Sequence, residues 1–167
     1  AKLKLAMQKI TPNLWFNNNA KEAIDFYLSV FKDGKILRTD YYPEGHEEIT
    51  GHKKGDVLTI EFELMGTPFV AINAGPEFKF NESVSFLIDC IDQEEIDYYW
   101  NSLISDGGEE SQCGWLKDKF GLSWQIAPKK LGELLMDKDK EKAGRVLDAM
   151  LAMRKIVVAD LEKAYEG

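Results

Sequence analysis

Cysteine and histidine are scarce in this sequence, with two of each among 167 residues. Cys90 and Cys113 could form one disulfide. However, the apolar stretch nearest the N-terminus, Leu3 to Met7, is broken by Lys4 and is too short for the core of a signal peptide. A chain without an export signal normally keeps its thiols reduced. We therefore expect two free thiols in a cytoplasmic protein.

Positive charge and long apolar runs are also lacking. The chain has 21 Lys and Arg against 29 Asp and Glu, a formal net charge of -8 and a sequence pI of about 4.9. This balance repels a phosphate backbone, and no basic stripe interleaved with aromatics offsets it, so we expect no nucleic-acid partner. No run approaches the roughly 18 apolar residues that cross a bilayer, so we expect no membrane partner.

The two histidines and the charged residues Lys117 and Asp118 form no catalytic constellation. His46 and His52 lie six residues apart with Gly51 between them, whereas a helical zinc pair needs a spacing of four. We expect both histidines to lie on a solvated loop. Lys117 and Asp118 are expected to make a hairpin turn and an exposed ion pair. On this basis we predict no cofactor.

What the sequence does contain is a strand-and-helix pattern that begins twice. In the first half, a strand, an asparagine-rich cap and a helix precede three more strands, in the order 10–16, 20–31, 35–42, 57–64 and 68–73. In the second half, alternation from Ser83 to Cys90 predicts a strand, and a helix follows from Gln93 to Ile104.

The two predicted helices agree residue by residue. Lys21–Tyr27 aligns with Gln93–Tyr99 at a constant offset of 72 positions and preserves glutamate, isoleucine, aspartate and tyrosine in register. We interpret this agreement as an internal duplication, with modules at 8–76 and 83–128 within a single domain. Each module buries one sheet face under its helix, which gives an α+β architecture with an open sheet face for a ligand.

The tail, residues 129–167, fits neither repeat. Apolar residues at helical spacing over Asp139–Arg154, followed by Ala159–Tyr165, predict a helical extension. We interpret it as a packing arm that covers a sheet edge or a dimer partner. A lid over the ligand site is the alternative.

Three motifs carry a resemblance to a known family: Ile10–Phe16 with Ala23–Tyr27, Asn73–Glu82, and Cys113–Ile126. Over nearly its whole length the chain resembles the PhnB-like branch of the vicinal-oxygen-chelate (glyoxalase/bleomycin-resistance/dioxygenase) superfamily, often labelled 3-demethylubiquinone-9 3-methyltransferase-like. The resemblance implies paired βαβββ modules that form a curved mixed sheet around a cup, with a C-terminal helical extension. It also implies a homodimer.

Lyases, isomerases and dioxygenases of that superfamily hold a divalent metal through His or Glu on inward strand faces. Residue by residue, the matching positions of this chain carry neutral side chains, and Gln125 stands where metal-binding relatives have glutamate. Such a set lacks the anionic ligands of a tight site, so we expect no metal. The other matching positions are Thr11 or Asn13, Phe69 to Asn73, and Ser83 or Ser85.

We therefore expect a small organic molecule to bind in the cup by stacking and hydrogen bonding. The expected ligand-binding residues are Thr11, Asn13, Trp15, Asn73, Ser85, Cys113, Trp115, Ser123 and Gln125. No catalytic residue is identified, because the sequence places no histidine beside Cys113.

Two enzymatic alternatives remain. The first is a metal-dependent lyase, isomerase or dioxygenase with unusual ligands. The second is the methyltransferase of the family label, whose usual fold needs a glycine-rich turn after its first strand. Here Gly107 and Gly108 follow a helix instead, and the sequence contains no Gly-x-Gly.

Overall fold

The computed structural model describes residues 10–167, which divide between Lys79 and Phe80 into two compact units. The elements of the first unit are β1 (Asn13–Phe16), α1 (Ala20–Val30), β2 (Lys35–Tyr41), α2 (Glu47–Thr50), β3 (Val57–Leu64) and β4 (Thr67–Asn73). Those of the second are β5 (Ser85–Cys90), α3 (Gln93–Ile104), β6 (Glu109–Glu110), β7 (Trp115–Lys117), β8 (Ser123–Pro128), α4 (Leu131–Leu135), α5 (Lys140–Leu151) and α6 (Val158–Glu166).

Each unit contains a four-stranded sheet, and the strand order of the two sheets is equivalent. It is β1-β4-β3-β2 in the first unit and β5-β8-β7-β6 in the second. The first strand of each unit pairs in parallel with the last, and all other pairs are antiparallel. This shared βαβββ connectivity confirms the predicted α+β class and the paired modules.

In the first unit, helix α1 packs on one face of the sheet. Its buried residues recur at three- and four-residue spacing, as an amphipathic helix requires: Ala20, Ala23, Ile24, Tyr27 and Val30. Every second residue near the end of β3 is also buried, namely Ile60, Phe62 and Leu64. Burial of large apolar side chains such as these contributes about 1.5–3 kcal/mol each. The residues between them point to the opposite sheet face.

In the second unit, helix α3 begins at a reciprocal cap. The Asp92 side chain accepts from the Glu95 amide at 2.9 Å, and the Glu95 side chain accepts from the Ile91 amide at 3.2 Å. The helix then buries one face on the sheet through Ile96, Tyr99, Trp100 and Leu103. Both ends of α3 fall where the apolar spacing predicted them.

The C-terminal extension packs against the second unit. The amides of Cys113 and Gly114 donate to the carbonyls of Met153 and Arg154 at 2.9 and 2.8 Å. Gly114 has a φ of +83°, and a Cβ there would lie 2.8 Å from the carbonyl oxygen of Ile126, so only glycine allows this approach. Helices α5 and α6 match the predicted extension, whereas α4 was not predicted. Within residues 10–167, no helix is long and apolar enough to cross a membrane.

The prediction that both histidines lie on a solvated loop is wrong for His52, although His46 is exposed. His52 is buried, and its ring stacks on Tyr42 with centroids 4.2 Å apart. Its Nδ1 lies 2.8 Å from the Thr50 carbonyl oxygen, and its Nε2 lies 2.5 Å from Asn18 Oδ1. His52 therefore anchors the β2–β3 connection to the turn before α1.

Candidate functional site

Each sheet has a face directed away from α1 or α3, and we call these open faces A and B. Strand register defines them, because paired residues of neighbouring strands point to the same side. Open face A carries Asn13, Trp15, Arg38, Asp40, Thr59, Glu61, Val70 and Ile72. Open face B carries Ser85, Leu87, Asp89, Glu109, Trp115, Lys117, Ser123, Gln125 and Ala127.

A hydrogen-bonded pair of neutral side chains lies at the centre of open face B. Gln125 Nε2 donates to Ser85 Oγ at 2.9 Å. Gln125 also has Leu87 on β5 and Trp115 on β7 as its cross-strand neighbours. Leu87 is 54% exposed and Trp115 is half-buried, so partly exposed apolar side chains flank the amide on both sides.

Ser123 provides the second polar group of open face B. It is directly paired with Ser85 across the parallel strands. Its hydroxyl is fully buried and has no hydrogen-bond partner among the described residues. A buried polar group without a partner costs about 1–3 kcal/mol of stability, so this hydroxyl destabilises the folded chain.

Lys117 is aligned with these two serines across neighbouring strands, and carboxylates balance the positive charge of its ammonium group. It forms an ion pair with Glu82, and Glu109 is its cross-strand partner on β6. The hydrogen bond with Lys117 is the main cause that lowers the pKa of the Glu82 carboxyl, and the same bond raises the pKa of Lys117. The predicted exposed ion pair between Lys117 and Asp118 is therefore wrong.

Asp118 is instead a buried organiser of the turn before β8, with 3% of its surface exposed. Its Oδ1 accepts from the amides of Phe120 and Leu122 at 2.9 and 3.1 Å, and its Oδ2 accepts from Trp124 Nε1 at 2.9 Å. Three donors compensate for the desolvation of the carboxylate. They also fix the start of β8, which determines the face to which Ser123 points.

Open face A has an aromatic corner. Trp15 Nε1 donates to the Gly75 carbonyl at 2.9 Å, which fixes the plane of the indole ring. Phe78 meets that ring edge to face, with centroids 4.9 Å apart, and is 65% exposed. Because the polar atom of Trp15 is already bonded, this corner offers apolar ring surface.

Open face A also carries charged side chains that were not predicted as site residues. Arg38 pairs with Asp40 at 2.9 Å, and Glu61 is the cross-strand partner of Arg38. The pKa of Arg38 is raised mainly by its hydrogen bond to Asp40, and the nearby Glu61 adds to the shift. Strand β2 has register irregularities on both sides of this pair, so alternation in the sequence did not place it.

Asn73 was predicted to bind ligand, but its side chain points away from open face A. It is buried; Oδ1 accepts from the first amide of α1, that of Ala20, and Nδ2 donates to the Val57 carbonyl, both at 3.2 Å. Its own carbonyl accepts from the Tyr42 hydroxyl at 2.7 Å. Asn19, which occupies the N-cap of α1, makes no side-chain cap. Asn73 therefore caps the start of α1 in place of the local N-cap residue, Asn19.

The other predicted site residues separate into two groups. The structure brings Asn13 and Trp15 together on open face A, and it brings four residues together on open face B: Ser85, Trp115, Ser123 and Gln125. Thr11 precedes β1, and its carbonyl accepts from Asn13 Nδ2 at 2.9 Å. Cys113 lies on the turn before β7, half-buried and with a left-handed backbone.

The three polar side chains at the centre of open face B do not fit a divalent cation. Gln125, Ser85 and Ser123 offer neutral oxygens only, and such a set does not offset the desolvation of a dication. Throughout the described range, 10–167, no three or more His, Cys, Asp or Glu side chains are grouped so that they could hold a metal ion.

The glycine pair after α3 does not fit a methyl-donor cofactor either. A Cβ on Gly108 would lie 2.6 Å from the Ile104 Cα, so a glycine is needed where the chain passes close to the last turn of the helix. Each sheet also has a single parallel strand pair, whereas the usual methyl-donor fold has alternating βα units.

Solved structures share this fold. The genomically encoded fosfomycin resistance protein FosX from Listeria monocytogenes, of the vicinal-oxygen-chelate superfamily, matches with a TM-score of 0.52 and 14% identity, over 80% of this chain and 100% of that one. A protein from Pseudomonas aeruginosa matches with a TM-score of 0.58 and 19% identity, over 73% and 98%. These similarities establish the glyoxalase/bleomycin-resistance fold.

A closer similarity in sequence defines the family. The PhnB protein from Bacillus cereus is 33% identical with a TM-score of 0.62, over 72% of this chain and 99% of that one. The model of the family described as 3-demethylubiquinone-9 3-methyltransferase matches residues 8–127. The chain belongs to this PhnB-like family, which confirms the resemblance seen in its motifs. No curated protein sequence matches the chain significantly.

Proposed function

We propose that this protein binds a small uncharged organic molecule on open face B, without a metal ion. The hydrogen bond from Gln125 to Ser85 is the observation that carries the proposal. The family fold implies a metal ligand at position 125, and here that position holds a neutral amide, one N–H group of which is already bonded within the protein. A ligand therefore meets hydroxyl and amide groups instead of a cation.

The border of the neutral pair favours a flat ligand. Trp115 and Leu87 lie on either side of Gln125 in the same row of the sheet. An indole ring beside a hydrogen-bonding centre holds a planar molecule by its faces and its polar edge together. The family description names a quinone, which is a flat ring with carbonyl oxygens, and this agrees with such a surface.

Chelator treatment tests whether a metal takes part in binding. We expect neutral aromatic ketones and imides to raise the thermal midpoint of the protein equally before and after exposure to EDTA. A shift that EDTA abolishes and Mn²⁺ or Zn²⁺ restores would instead support the metal-dependent lyase, isomerase or dioxygenase. Trp115→Leu should reduce the shift. The matched control, Tyr98→Leu on helix α3, should leave it unchanged.

A methyltransferase activity is the second candidate, because the family description names it. A thermal-shift titration with S-adenosylmethionine separates it from the first. We expect no stabilisation, since the backbone at Gly107 and Gly108 closes the end of α3 and forms no turn after a strand. A saturable stabilisation, accompanied by methyl transfer to a demethylated quinol, would favour the methyltransferase.

The proposal includes a cytoplasmic homodimer. The two cysteines form no disulfide, which suits a reducing compartment. Strand β2 lies at a sheet edge, and its Leu37 and Tyr41 side chains are 48% and 57% exposed. An exposed edge of this kind favours pairing with a second copy. Light scattering should give twice the chain mass, and Leu37→Glu should shift the protein toward monomer.

A further inference from the structure

The unpaired hydroxyl of Ser123 indicates what kind of ligand open face B accepts. Ser123 is fully buried, points to open face B and has no partner in the described part of the chain. An alanine would fill the same space without an unsatisfied donor. A hydroxyl at this position is therefore best explained by a partner that comes with the ligand.

Ser85 adds a second donor beside it. The two serines are direct neighbours on parallel strands, which are spaced about 4.8 Å apart. Because Gln125 Nε2 donates to Ser85 Oγ, the hydroxyl hydrogen of Ser85 is free to donate elsewhere. The row thus presents two O–H donors about 5 Å apart on the same face.

The charges around this row argue against an anionic ligand. Lys117 is the cross-strand neighbour of Ser123, but Glu82 pairs with its ammonium group and Glu109 lies opposite it. The two carboxylates outweigh the single cation. Ser123 is fully buried in the free protein, so ligand binding at its hydroxyl requires a neighbouring side chain to move. Lys117, its cross-strand neighbour, has a flexible stem.

We infer that Ser85 and Ser123 donate hydrogen bonds to two acceptor oxygens of an uncharged carbonyl compound, with Gln125 as the positioning residue that orients Ser85. The inference rests on the proposed function and specifies its ligand class. It also predicts opposite effects of one substitution. Ser123→Ala removes an unsatisfied hydroxyl and so stabilises the free protein, but it weakens binding of the ligand.

The test uses N-methylphthalimide, a flat uncharged imide with two carbonyl oxygens, and indane, which has the same fused six- and five-membered rings but neither the nitrogen nor the oxygens. Binding to the wild-type protein and to Ser123→Ala is followed by NMR titration of backbone amides, and the thermal midpoint of the free protein is measured in parallel. We expect Ser123→Ala to raise the midpoint and to weaken imide binding about 2- to 10-fold, the range for one neutral hydrogen bond. Ser85→Ala should weaken binding similarly.

A control and three outcomes decide the matter. Ser105→Ala removes an exposed hydroxyl at the end of α3 and should change neither quantity. A lower midpoint for Ser123→Ala would show that the hydroxyl is already satisfied, by a structural water for example, and would overturn the inference. Equal affinity for imide and indane would overturn it while the binding function stands. Amide shifts with neither probe would reject both proposals.

Discussion

The side-chain amide of Gln125 donates to the hydroxyl of Ser85 across the parallel strands β8 and β5, at 2.9 Å. Gln125 stands where metal-binding relatives have glutamate, and Ser85 is one of the two residues, with Ser83, that match the other ligand position of the second module. Since the bond uses neutral groups, it adds no negative charge to open face B. The same bond directs the hydrogen of Ser85 away from Gln125.

Gln125→Glu should have two effects of opposite sign. A carboxylate restores one anionic oxygen, so weak binding of Zn²⁺ or Ni²⁺ should become measurable by calorimetry. The same carboxylate accepts from Ser85 and turns its hydrogen inward, so affinity for a neutral imide should fall several-fold. Gln125→Leu should weaken imide binding without any gain in metal affinity. A Gln125→Glu protein that binds imide as tightly as the wild type would contradict the orientation assigned to Ser85.

Asp118→Asn should destabilise the second unit. The amide NH₂ that replaces Oδ2 would face the indole N–H of Trp124, so one donor loses its acceptor inside the protein. Loss of a hydrogen bond to a charged group costs about 1.5–3 kcal/mol, and urea denaturation should show a decrease of this size.

Two controls accompany this prediction. Asp106→Asn removes an ion pair with Lys119 from an exposed carboxylate and should have little effect. In the Trp124→Phe background, Asp118→Asn should cost clearly less, because the indole donor is absent. Equal costs in the two backgrounds would mean that the Trp124 bond contributes nothing.

Cys90 should make stability depend on pH in the alkaline range. Burial, with the nearby Glu95 and Asp89 charges, raises the pKa of its thiol from 9.0 to about 12. The folded state therefore favours the protonated thiol. The stability that the protonated Cys90 thiol gives the folded state is fully present below about pH 9 and is lost as pH rises toward 12. Cys90→Ala should flatten this decline, measured by urea denaturation from pH 8 to 11.

Labelling with a thiol reagent provides an independent check. Cys113 is half-buried on a turn and Cys90 is fully buried, so iodoacetamide should modify Cys113 first in the native protein. Some alkaline loss of stability should remain in Cys90→Ala, because burial and Asp56 also raise the pKa of Tyr42. Rapid native labelling of Cys90 would contradict its burial.

Regular elements and the repeat were predictable from the sequence, because both depend on local periodicity. Strand β3 and helix α3 have the predicted bounds, and the aligned segments near Ile24 and Ile96 lie in equivalent helices. Helix α4 was missed, since five residues are too short for an apolar pattern to recur. The extension was identified as helical, and its role as a packing arm on a sheet edge or a dimer partner stays a prediction.

The buried polar residues were not predictable, because their partners are set by the folded chain and not by the local sequence pattern. Asn73 replaces the N-cap of a helix that begins 53 positions earlier, and His52 stacks on Tyr42. Asp118 looks like an exposed turn residue until its bond to Trp124 is known. The strand face of Ser123 and Gln125, in contrast, follows from alternation alone.

Metal content of the protein, purified without chelators and supplied with Zn²⁺, Ni²⁺ and Mn²⁺ during growth, tests the metal-free site most directly. Because Gln125, Ser85 and Ser123 provide only neutral oxygens on open face B, elemental analysis should find these metals far below one per chain. One tightly held metal ion per chain, released together with bound ligand on chelation, would contradict a neutral binding site.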